Sequence, residues 1–190
     1  GGAVFTNKKK IFQKIFFLRN HGQTKKKYIH NYVGLNARLD TIQAAILLAK
    51  FNLFEVEVRS RINIGARYTA QLKEKGLNTT PFISMENTSV YAQYTIQVNN
   101  RSKVIENMKN RGIPTSVHYP SLLSEQNALK NLRPKNYNFL KNIFSRKIYK
   151  SQVVKNAKDI ASKVLSLPMH PYLNEKNQNL VIKSLMESLN

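Results

Sequence analysis

Apolar residues recur at helical spacing over the first part of the chain. One set lies within Lys8–Arg19 and predicts a helix that ends near Gly22. A second set, spaced three or four residues apart, forms a seam made of Leu39, Ile42, Ile46, Ala49, Leu53, Val58, Ile62 and Leu72. This seam predicts one long helical stretch, ended by Gly76, that packs on the core or on a partner helix. Gln23–Asn36 is polar and irregular, which is typical of a loop.

Extended segments and helices alternate along the rest of the chain. Tyr91–Val98 alternates apolar and polar residues, which predicts a half-buried strand with Ala92, Tyr94, Ile96 and Val98 on one face. Short extended segments are predicted at Thr115–Tyr119 and Leu165–Met169, and helices at Asn100–Arg111, Ala157–Val164 and Asn174–Leu189. Ser121–Asn156, rich in Lys and Asn, indicates a surface excursion with partial helix. The alternation predicts a compact α/β fold in which helices are layered on a small sheet.

The first seven residues, Gly1–Asn7, have the pattern of a strand entered from a glycine turn. A strand that begins at residue 1 needs sheet neighbours from elsewhere. We therefore expect this chain to be cut from a longer protein.

The charge balance is strongly basic, with 31 Lys and Arg residues against 10 Asp and Glu residues and a formal net charge of +21. Such a balance usually suggests a nucleic-acid or anionic membrane partner. Lys and Asn each occur 22 times, however, while Arg occurs 9 times, which is the bias that AT-rich coding produces. The basic residues are scattered, with triplets only at Lys8–Lys10 and Lys25–Lys27. We therefore predict neither a nucleic-acid nor a membrane partner.

Several classes of site are excluded by residue content. Cysteine is absent, which excludes disulfides, thiolate zinc sites and cysteine nucleophiles. The longest apolar run, Ala44–Ala49, is far shorter than the ~20 residues of a membrane-spanning helix, and no signal-peptide pattern precedes it. The two aspartates and four histidines have no spacing typical of metal ligands or paired catalytic carboxylates, and phosphate-binding glycine motifs are absent. A folded, cytoplasmic protein is the expectation.

Three short segments contain groups that can hold an anion or line a pocket. In Gly34–Asp40, which precedes the long helix, helix-start amides, Asn36 and Arg38 could together bind a phosphate or carboxylate. The alternative is that Asn36 or Asp40 merely caps the helix and that Arg38 lays its aliphatic stem on the protein surface with its charge in water. Val117–Pro120 places an imidazole and a phenol in succession at a strand end, which is also compatible with an ordinary strand end. Leu165–Tyr172 contains two prolines and indicates a rigid turn with a structural role.

Five segments in this order resemble one known family, and they are Gly1–Asn7, Arg19–Gly22, Gly34–Ala45, Val117–Pro120 and Leu165–Tyr172. With them, the chain resembles over essentially its whole length the C-terminal portion of the DegT/DnrJ/EryC1/StrS family of pyridoxal 5′-phosphate (PLP) dependent sugar aminotransferases. Val90–Thr95 is most similar to the branch that aminates a UDP-linked 3-keto-glucuronic acid derivative for surface polysaccharide.

The resemblance implies a fold class and an assembly. The fold would be α/β, the C-terminal part of a fold type I PLP-dependent transferase. Residues 1–30 would end the PLP-binding large domain, residues 31–76 would form an interdomain loop and long helices, and residues 77–190 would form the small C-terminal domain. The parent would be a homodimer with active sites shared between subunits, acting on a UDP-linked keto sugar with L-glutamate as the amino donor.

The resemblance also implies roles for individual residues. Asn36 matches the family asparagine that reaches into the neighbouring subunit's site and holds the cofactor phosphate. Arg38 is placed to meet the substrate, such as a uronate carboxylate. His118 and Tyr119 match residues that line the sugar pocket, and His21 is a weaker candidate for substrate binding.

Two residues that the chemistry needs have no match in this sequence. The family's Schiff-base lysine stands in a Ser-x-x-Pro-x-Lys context shortly before the Gly-Gly strand, and no lysine here has that context. Neither Asp40 nor Asp159 matches the aspartate that pairs with the pyridinium nitrogen. PLP chemistry needs both groups, so the expectation is that these residues lie upstream of residue 1 and that the chain alone is inactive.

Three hypotheses are compatible with the sequence. In the first, the chain is part of a sugar-nucleotide aminotransferase. In the second, it is a non-catalytic remnant that serves as a dimerisation or binding module. In the third, its basic charge binds nucleic acid with strong salt dependence.

Overall fold

The computed structural model describes residues 2–127 and 147–189. Its helices are α1 (Lys9–Leu18), α2 (Thr41–Phe51), α3 (Phe54–Glu74), α4 (Arg101–Asn110), α5 (Lys147–Lys163) and α6 (Glu175–Leu189). The strands are β1 (Tyr94–Gln97) and β2 (Val164–Leu167), and Leu123–Glu125 forms one turn of 3₁₀ helix. Most of the predicted excursion at Ser121–Asn156 lies outside the described residues. Among the described residues, no helix is both long and apolar enough to cross a membrane.

The chain divides into two compact units, which we call unit 1 (Gly1–Phe54) and unit 2 (Glu55–Asn190). Unit 1 contains α1, the loop that follows it, and α2. Unit 2 contains the two strands and four of the described helices. Nearly all of the buried core lies in unit 2.

The centre of unit 2 is a two-stranded antiparallel sheet of β1 and β2. Tyr94 lies opposite Leu167 at one end of the ladder, and Gln97 lies opposite Val164 at the other. Alternation along each strand puts Tyr94, Ile96, Leu165 and Leu167 into the apolar core. Helices α3, α4 and α6 cover this core with Ile64, Tyr68, Leu72, Val104, Met108, Val181, Ile182 and Leu185. The predicted face of Tyr94, Ile96 and Val98 is therefore confirmed. Ala92 is exposed because it precedes the strand.

Tyrosines rather than phenylalanines fill the largest positions of this core. The rings of Tyr68 and Tyr94 lie 4.9 Å apart, and the Tyr68 hydroxyl donates to the carbonyl oxygen of Pro168 at 3.0 Å. The Thr69 hydroxyl donates to the carbonyl oxygen of Gly65, so the Tyr94 hydroxyl donates to Thr69 Oγ1, 2.8 Å away. Each buried phenol thus has a hydrogen-bond partner, which offsets the cost of burying its polar atom.

Four expected elements differ in the structure. The long helix predicted from Leu39 to Leu72 is two helices, because α2 ends at Phe51 and the amide of Leu53 turns back to the carbonyl of Lys50. Asn52, a poor helix former, stands at the break. In α3 the seam is buried at Leu72 and half-buried at Val58 and Ile62, whereas α2 buries no residue and Ile42 is 75% exposed.

The other three differences concern strands. Residues 2–7 form no strand, since they have no ladder partner among the described residues. At Thr115–Tyr119 the strand is reduced to a single bridge between Ser116 and Ser166. The predicted strand over Tyr91–Val98 is confirmed only at its centre, Tyr94–Gln97.

Burial of Tyr94 makes the stability of unit 2 sensitive to alkaline pH. Burial raises the pKa of Tyr94 to about 12 and also raises the pKa of Tyr68. The unfolded chain releases a tyrosine proton at a pKa of about 10. The contribution of Tyr94 to the stability of unit 2 is therefore fully present below about pH 10 and is lost as pH rises towards 12.

We expect Tyr94→Phe to lower the free energy of unfolding by about 1 kcal/mol at pH 8 and to show a shallower fall in that free energy between pH 10 and 12. Urea unfolding followed by circular dichroism measures both quantities. Identical slopes for the two proteins would contradict the expectation.

Candidate functional site

The residues predicted to bind cofactor or substrate fall into two groups. His21, Asn36 and Arg38 belong to unit 1, and His118 and Tyr119 belong to unit 2. Each group is described within its own unit.

Asn36 lies on a loop that is hydrogen-bonded to the end of α1. The amide of Leu35 donates to the carbonyl of Leu18 at 2.8 Å, and the amide of His21 donates to the carbonyl of Leu35 at 2.9 Å. The amide of Ala37 donates to the carbonyl of Arg19 at 2.8 Å. These bonds flank the antiparallel bridge between Asn20 and Asn36, so the backbone on both sides of Asn36 is fixed.

Two glycines permit this close approach. A Cβ on Gly34 would lie 2.2 Å from the backbone nitrogen of Gly22 and 2.6 Å from the carbonyl oxygen of Leu18. Gly22 has a φ of +69°, and a Cβ there would lie 1.9 Å from the carbonyl oxygen of Tyr32. Only residues without a side chain fit both positions. The Gly22 that was predicted to end the first helix therefore also supports the loop.

Asn36 and Arg38 present hydrogen-bond donors to solvent. Both residues are exposed, and neither side chain has a recorded hydrogen bond or ion pair in residues 2–127 and 147–189. A carboxamide N–H and a guanidinium fork are suitable donors for phosphate or carboxylate oxygens. The loop therefore holds two unengaged donor groups two residues apart on a rigid backbone.

Asp40, not Asn36, caps the helix that follows this segment. Its Oδ1 accepts a hydrogen bond from the amide of Gln43 at 2.8 Å, so Asp40 is the N-cap of α2. An anion at the start of α2 would face this carboxylate. The helix-start amides are thus poor ligands for a phosphate, and Asn36 and Arg38 are the better candidates.

His21 is oriented by its backbone. It has a φ of +57°, and its carbonyl oxygen accepts a hydrogen bond from Nδ1 of His30 at 2.9 Å. The sequence did not predict a link between these two histidines. The His21 residue is exposed, so its ring is available to a ligand.

The unit 2 group is held by the bridge between Ser116 and Ser166. The amides and carbonyls of these two serines exchange hydrogen bonds of 2.8 and 3.1 Å. Two residues further along, Nδ1 of His118 lies 3.0 Å from the hydroxyl oxygen of Ser166. The ring of Tyr119 is 75% exposed and meets the His118 ring edge-on, with centroids 5.7 Å apart. An imidazole and a phenol thus lie next to each other beside this bridge.

Helix α3 is hydrogen-bonded to backbone carbonyl oxygens of two segments, the proline-rich turn that follows β2 and the residues just before β1. The guanidinium of Arg61 donates to the carbonyls of Val90 at 2.9 Å, Tyr91 at 3.1 Å and Met169 at 3.5 Å. Ser60 donates to the carbonyl of Pro171. Arg61 was not predicted, because nothing in the local sequence distinguishes it from the other basic residues of α3.

The close packing of Gly34 leads to a local prediction. We expect Gly34→Ala to push the Asn36 loop away from α1, because the added methyl group meets fixed backbone atoms. The amides of His21, Leu35 and Ala37 should then exchange with solvent faster, by about tenfold or more. Hydrogen-exchange NMR measures this. Gly2→Ala is the matched control, since no heavy atom lies within 4 Å of a Cβ at Gly2. Unchanged exchange at all three amides would contradict the role given to Gly34.

Comparison with known proteins agrees with the resemblance. Residues 1–186 match the DegT/DnrJ/EryC1/StrS aminotransferase family. The chain is 40% identical over 185 residues to the UDP-2-acetamido-2-deoxy-3-oxo-D-glucuronate aminotransferase of Pseudomonas aeruginosa, covering 97% of this chain and 46% of that protein. The chain thus spans about half the length of the curated relatives it matches.

Solved structures show the same fold. A DegT DnrJ EryC1 StrS aminotransferase from Brucella abortus superposes with a TM-score of 0.80 at 31% identity, over 98% of this chain and 45% of that one. The S. venezuelae protein DesV, in complex with a ketimine intermediate, gives a TM-score of 0.77 at 26% identity, over 96% and 45%. The predicted fold class, part of a fold type I PLP-dependent transferase, is confirmed. Match length, identity and fold agree, and this chain belongs to the DegT/DnrJ/EryC1/StrS aminotransferase family.

Proposed function

We propose that this chain supplies the phosphate-binding and sugar-binding side of a PLP-dependent aminotransferase that acts on a nucleotide-linked keto sugar. The observation that carries the proposal is the rigid Asn36 loop, which holds two unengaged donors, Asn36 and Arg38, beside glycines that allow no side chain. Similarity to the Pseudomonas aeruginosa enzyme supports a UDP-linked 3-keto-uronic acid sugar as the substrate. We place the reaction in the cytoplasm, as a step in the synthesis of surface polysaccharide. The amino donor would be L-glutamate.

The donor chemistry of the loop fits the phosphate group of PLP. Phosphate oxygens accept hydrogen bonds from N–H groups and attract positive charge. The loop offers a carboxamide N–H at Asn36 and a guanidinium at Arg38. When bound, PLP supplies the electron sink that amino-group transfer requires. Asn36 would donate to a phosphate oxygen of the cofactor, and the loop's backbone bonds would keep the amide in place.

The remaining candidates would contact the sugar. The fork of Arg38 matches the geometry of a carboxylate, so it would hold the uronate group of the substrate. His118 and Tyr119 would bond sugar oxygens, because an imidazole and a phenol are both able to donate and accept. His21 would make a further, weaker contact. All of these residues bind and orient the substrate, and none of them would transfer the amino group itself.

The partner would be a second subunit, with Asn36 reaching the neighbouring active site. Exposed apolar residues on α2 support an assembly of this kind, and they include Ile42, Ile46, Leu47, Leu48 and Phe51. Surfaces so rich in exposed apolar side chains usually mark an interface.

The loop residues can be tested in a chimera, in which residues 1–190 replace the matching segment of the Pseudomonas aeruginosa relative. We expect the chimera to aminate UDP-2-acetamido-2-deoxy-3-oxo-glucuronate. Asn36→Ala should weaken PLP binding and Arg38→Gln should raise the KM for the sugar, each roughly 10- to 100-fold, as expected for a lost charge-assisted hydrogen bond. Fluorescence titration with PLP and steady-state kinetics measure these effects.

Lys26→Gln is the matched control for this experiment. It removes one positive charge from the exposed part of the neighbouring loop and leaves both proposed donors intact. An inactive chimera, or Asn36→Ala and Arg38→Gln variants that behave like Lys26→Gln, would contradict the proposed roles.

A second expectation concerns the 190-residue chain by itself. No lysine in it stands in the Ser-x-x-Pro-x-Lys context, so we propose that the chain does not form the covalent link to PLP and is inactive alone. Incubation with PLP, borohydride reduction and peptide mass spectrometry should detect no lysine that is modified stoichiometrically. One defined lysine carrying a reduced pyridoxyl group would overturn this expectation. If the 190-residue chain binds full-length subunits and has no activity of its own, the result would instead favour the hypothesis of a dimerisation or binding module.

A further inference from the structure

Two histidines that are nine residues apart in the sequence meet at the base of a small hairpin after α1. In this hairpin, Gln23 and His30 form an antiparallel bridge, and the amide of Asn31 donates to the carbonyl of Gly22 at 3.1 Å. The pairing folds the chain back on itself, so His30 returns to the point at which His21 leaves the end of the helix. Both histidines belong to unit 1, and both are exposed.

The ring of His30 is hydrogen-bonded to the backbone of His21. Nδ1 of the ring lies 2.9 Å from the carbonyl oxygen of His21. A carbonyl oxygen has lone pairs but no hydrogen, so it can only accept, and the hydrogen of this bond must be on Nδ1. The neutral ring of His30 therefore has its proton on Nδ1 and a lone pair on Nε2. No other arrangement of hydrogens makes this bond.

His21 is held at both of its backbone groups. Its amide donates to the carbonyl of Leu35 at 2.9 Å, and its carbonyl oxygen accepts from His30. The φ of His21 is +57°, a conformation that residues with a side chain rarely adopt and that persists only where the surrounding structure holds it. Leu35 directly precedes Asn36. A chain of hydrogen bonds therefore runs from the His30 ring through His21 to the loop that carries Asn36.

We propose that His30 is a positioning residue for Asn36. Its Nδ1–H holds the carbonyl of His21, and His21 in turn holds the backbone beside Asn36. Resting on the proposed function, in which Asn36 donates to the PLP phosphate, this arrangement lets His30 raise the affinity for PLP without touching it. Sequence patterns singled out His21 and not His30, because the contact joins positions that no local pattern relates.

The position of the ring proton is the first test. Long-range ¹H–¹⁵N NMR of the uniformly ¹⁵N-labelled 190-residue chain is recorded at about pH 8, where imidazole rings are neutral. The His30→Asn variant identifies the His30 signals, for which we expect a protonated Nδ1 and an unprotonated Nε2. His170 is the internal reference, since it is exposed and its ring has no recorded hydrogen bond in residues 2–127 and 147–189. The ratio of Nδ1–H to Nε2–H should be about fivefold or more higher at His30 than at His170, as one hydrogen bond predicts. A ratio at His30 no higher than at His170 overturns the inference.

Two variants of similar shape provide the second test. Asparagine places a side-chain N–H the same number of bonds from Cα as Nδ1 of histidine, whereas leucine has the branched shape of asparagine without the N–H. His30→Leu should make the amides of His21 and Leu35 exchange about fivefold faster, and His30→Asn should keep the wild-type rates. Hydrogen-exchange NMR measures these rates. The amide of Val98, which donates to the carbonyl of Lys163 at 3.0 Å in unit 2, is the control for overall unfolding and should not change.

Rescue by asparagine separates the positioning role from a loss of packing. The role is overturned if His30→Leu leaves both exchange rates unchanged, if His30→Asn behaves like His30→Leu, or if the Val98 amide accelerates as much as that of His21. If His30→Leu does not fold, the proton position in the wild-type chain and the exchange rates of His30→Asn decide the question.

The chimera with the Pseudomonas aeruginosa relative connects His30 to the cofactor. In the chimera, His30→Leu should lower the affinity for PLP about fivefold and His30→Asn should leave it unchanged, as measured by fluorescence titration. Loss of affinity in Asn36→Ala but not in His30→Leu overturns the positioning role and leaves the proposed function standing. Unchanged affinity in both variants contradicts the proposed function, while the proton position and the exchange rates, which need neither sugar nor PLP, still decide whether His30 holds the loop.

Discussion

The pairing of Tyr94–Gln97 with Val164–Leu167 is the interaction on which unit 2 depends. A sheet of two short strands is only marginally stable in water, so it persists here because helices cover its apolar face. Tyr94 and Ile96 bring the residues of α3, α4 and α6 together into one core. The same pairing sets Thr95 beside Ser166, and the bridge from Ser166 to Ser116 then places His118. Core packing and the position of a candidate binding residue therefore have a common origin.

Unit 1 depends on a different constraint, the close backbone contact of Gly22 with Tyr32 and of Gly34 with the end of α1. At this contact, backbone hydrogen bonds fix the Asn36 loop to the end of α1. The loop consequently presents Asn36 and Arg38 on a defined backbone although almost everything around them is exposed. Rigid backbone with solvent-facing donors is the arrangement that a binding site for an anionic group requires.

Sequence patterns predicted the elements of this chain well where local signals were strong. Helix α1, the helix end near Gly76, α4 and α6 all follow from apolar spacing and glycine position. The break between α2 and α3 was not predicted, because the apolar spacing continues across Asn52 and only the local backbone turn interrupts it. The strand predicted at Gly1–Asn7 requires sheet neighbours from elsewhere, and residues 2–7 form no strand because no pairing partner lies among the described residues. Family motifs supplied the candidate site residues, whereas Ser166, which contacts His118, and Arg61, which holds the turn after β2, are recognised only from contacts between distant segments.

The distance along the chain between the two strands has a consequence for the order of events during synthesis. Thr95 pairs with Ser166, 71 residues later, so the sheet cannot exist until the ribosome has released residues beyond Leu167. Until then Tyr94 and Ile96 have no strand to pair with, while α3 and α4 are already complete. Long-range pairing of this kind makes folding slow, because a large loop must close before any contact stabilises it. A nascent chain of this protein therefore carries an unpaired apolar strand while the 71 residues from Thr95 to Ser166 are made, and an unpaired strand edge is prone to aggregation.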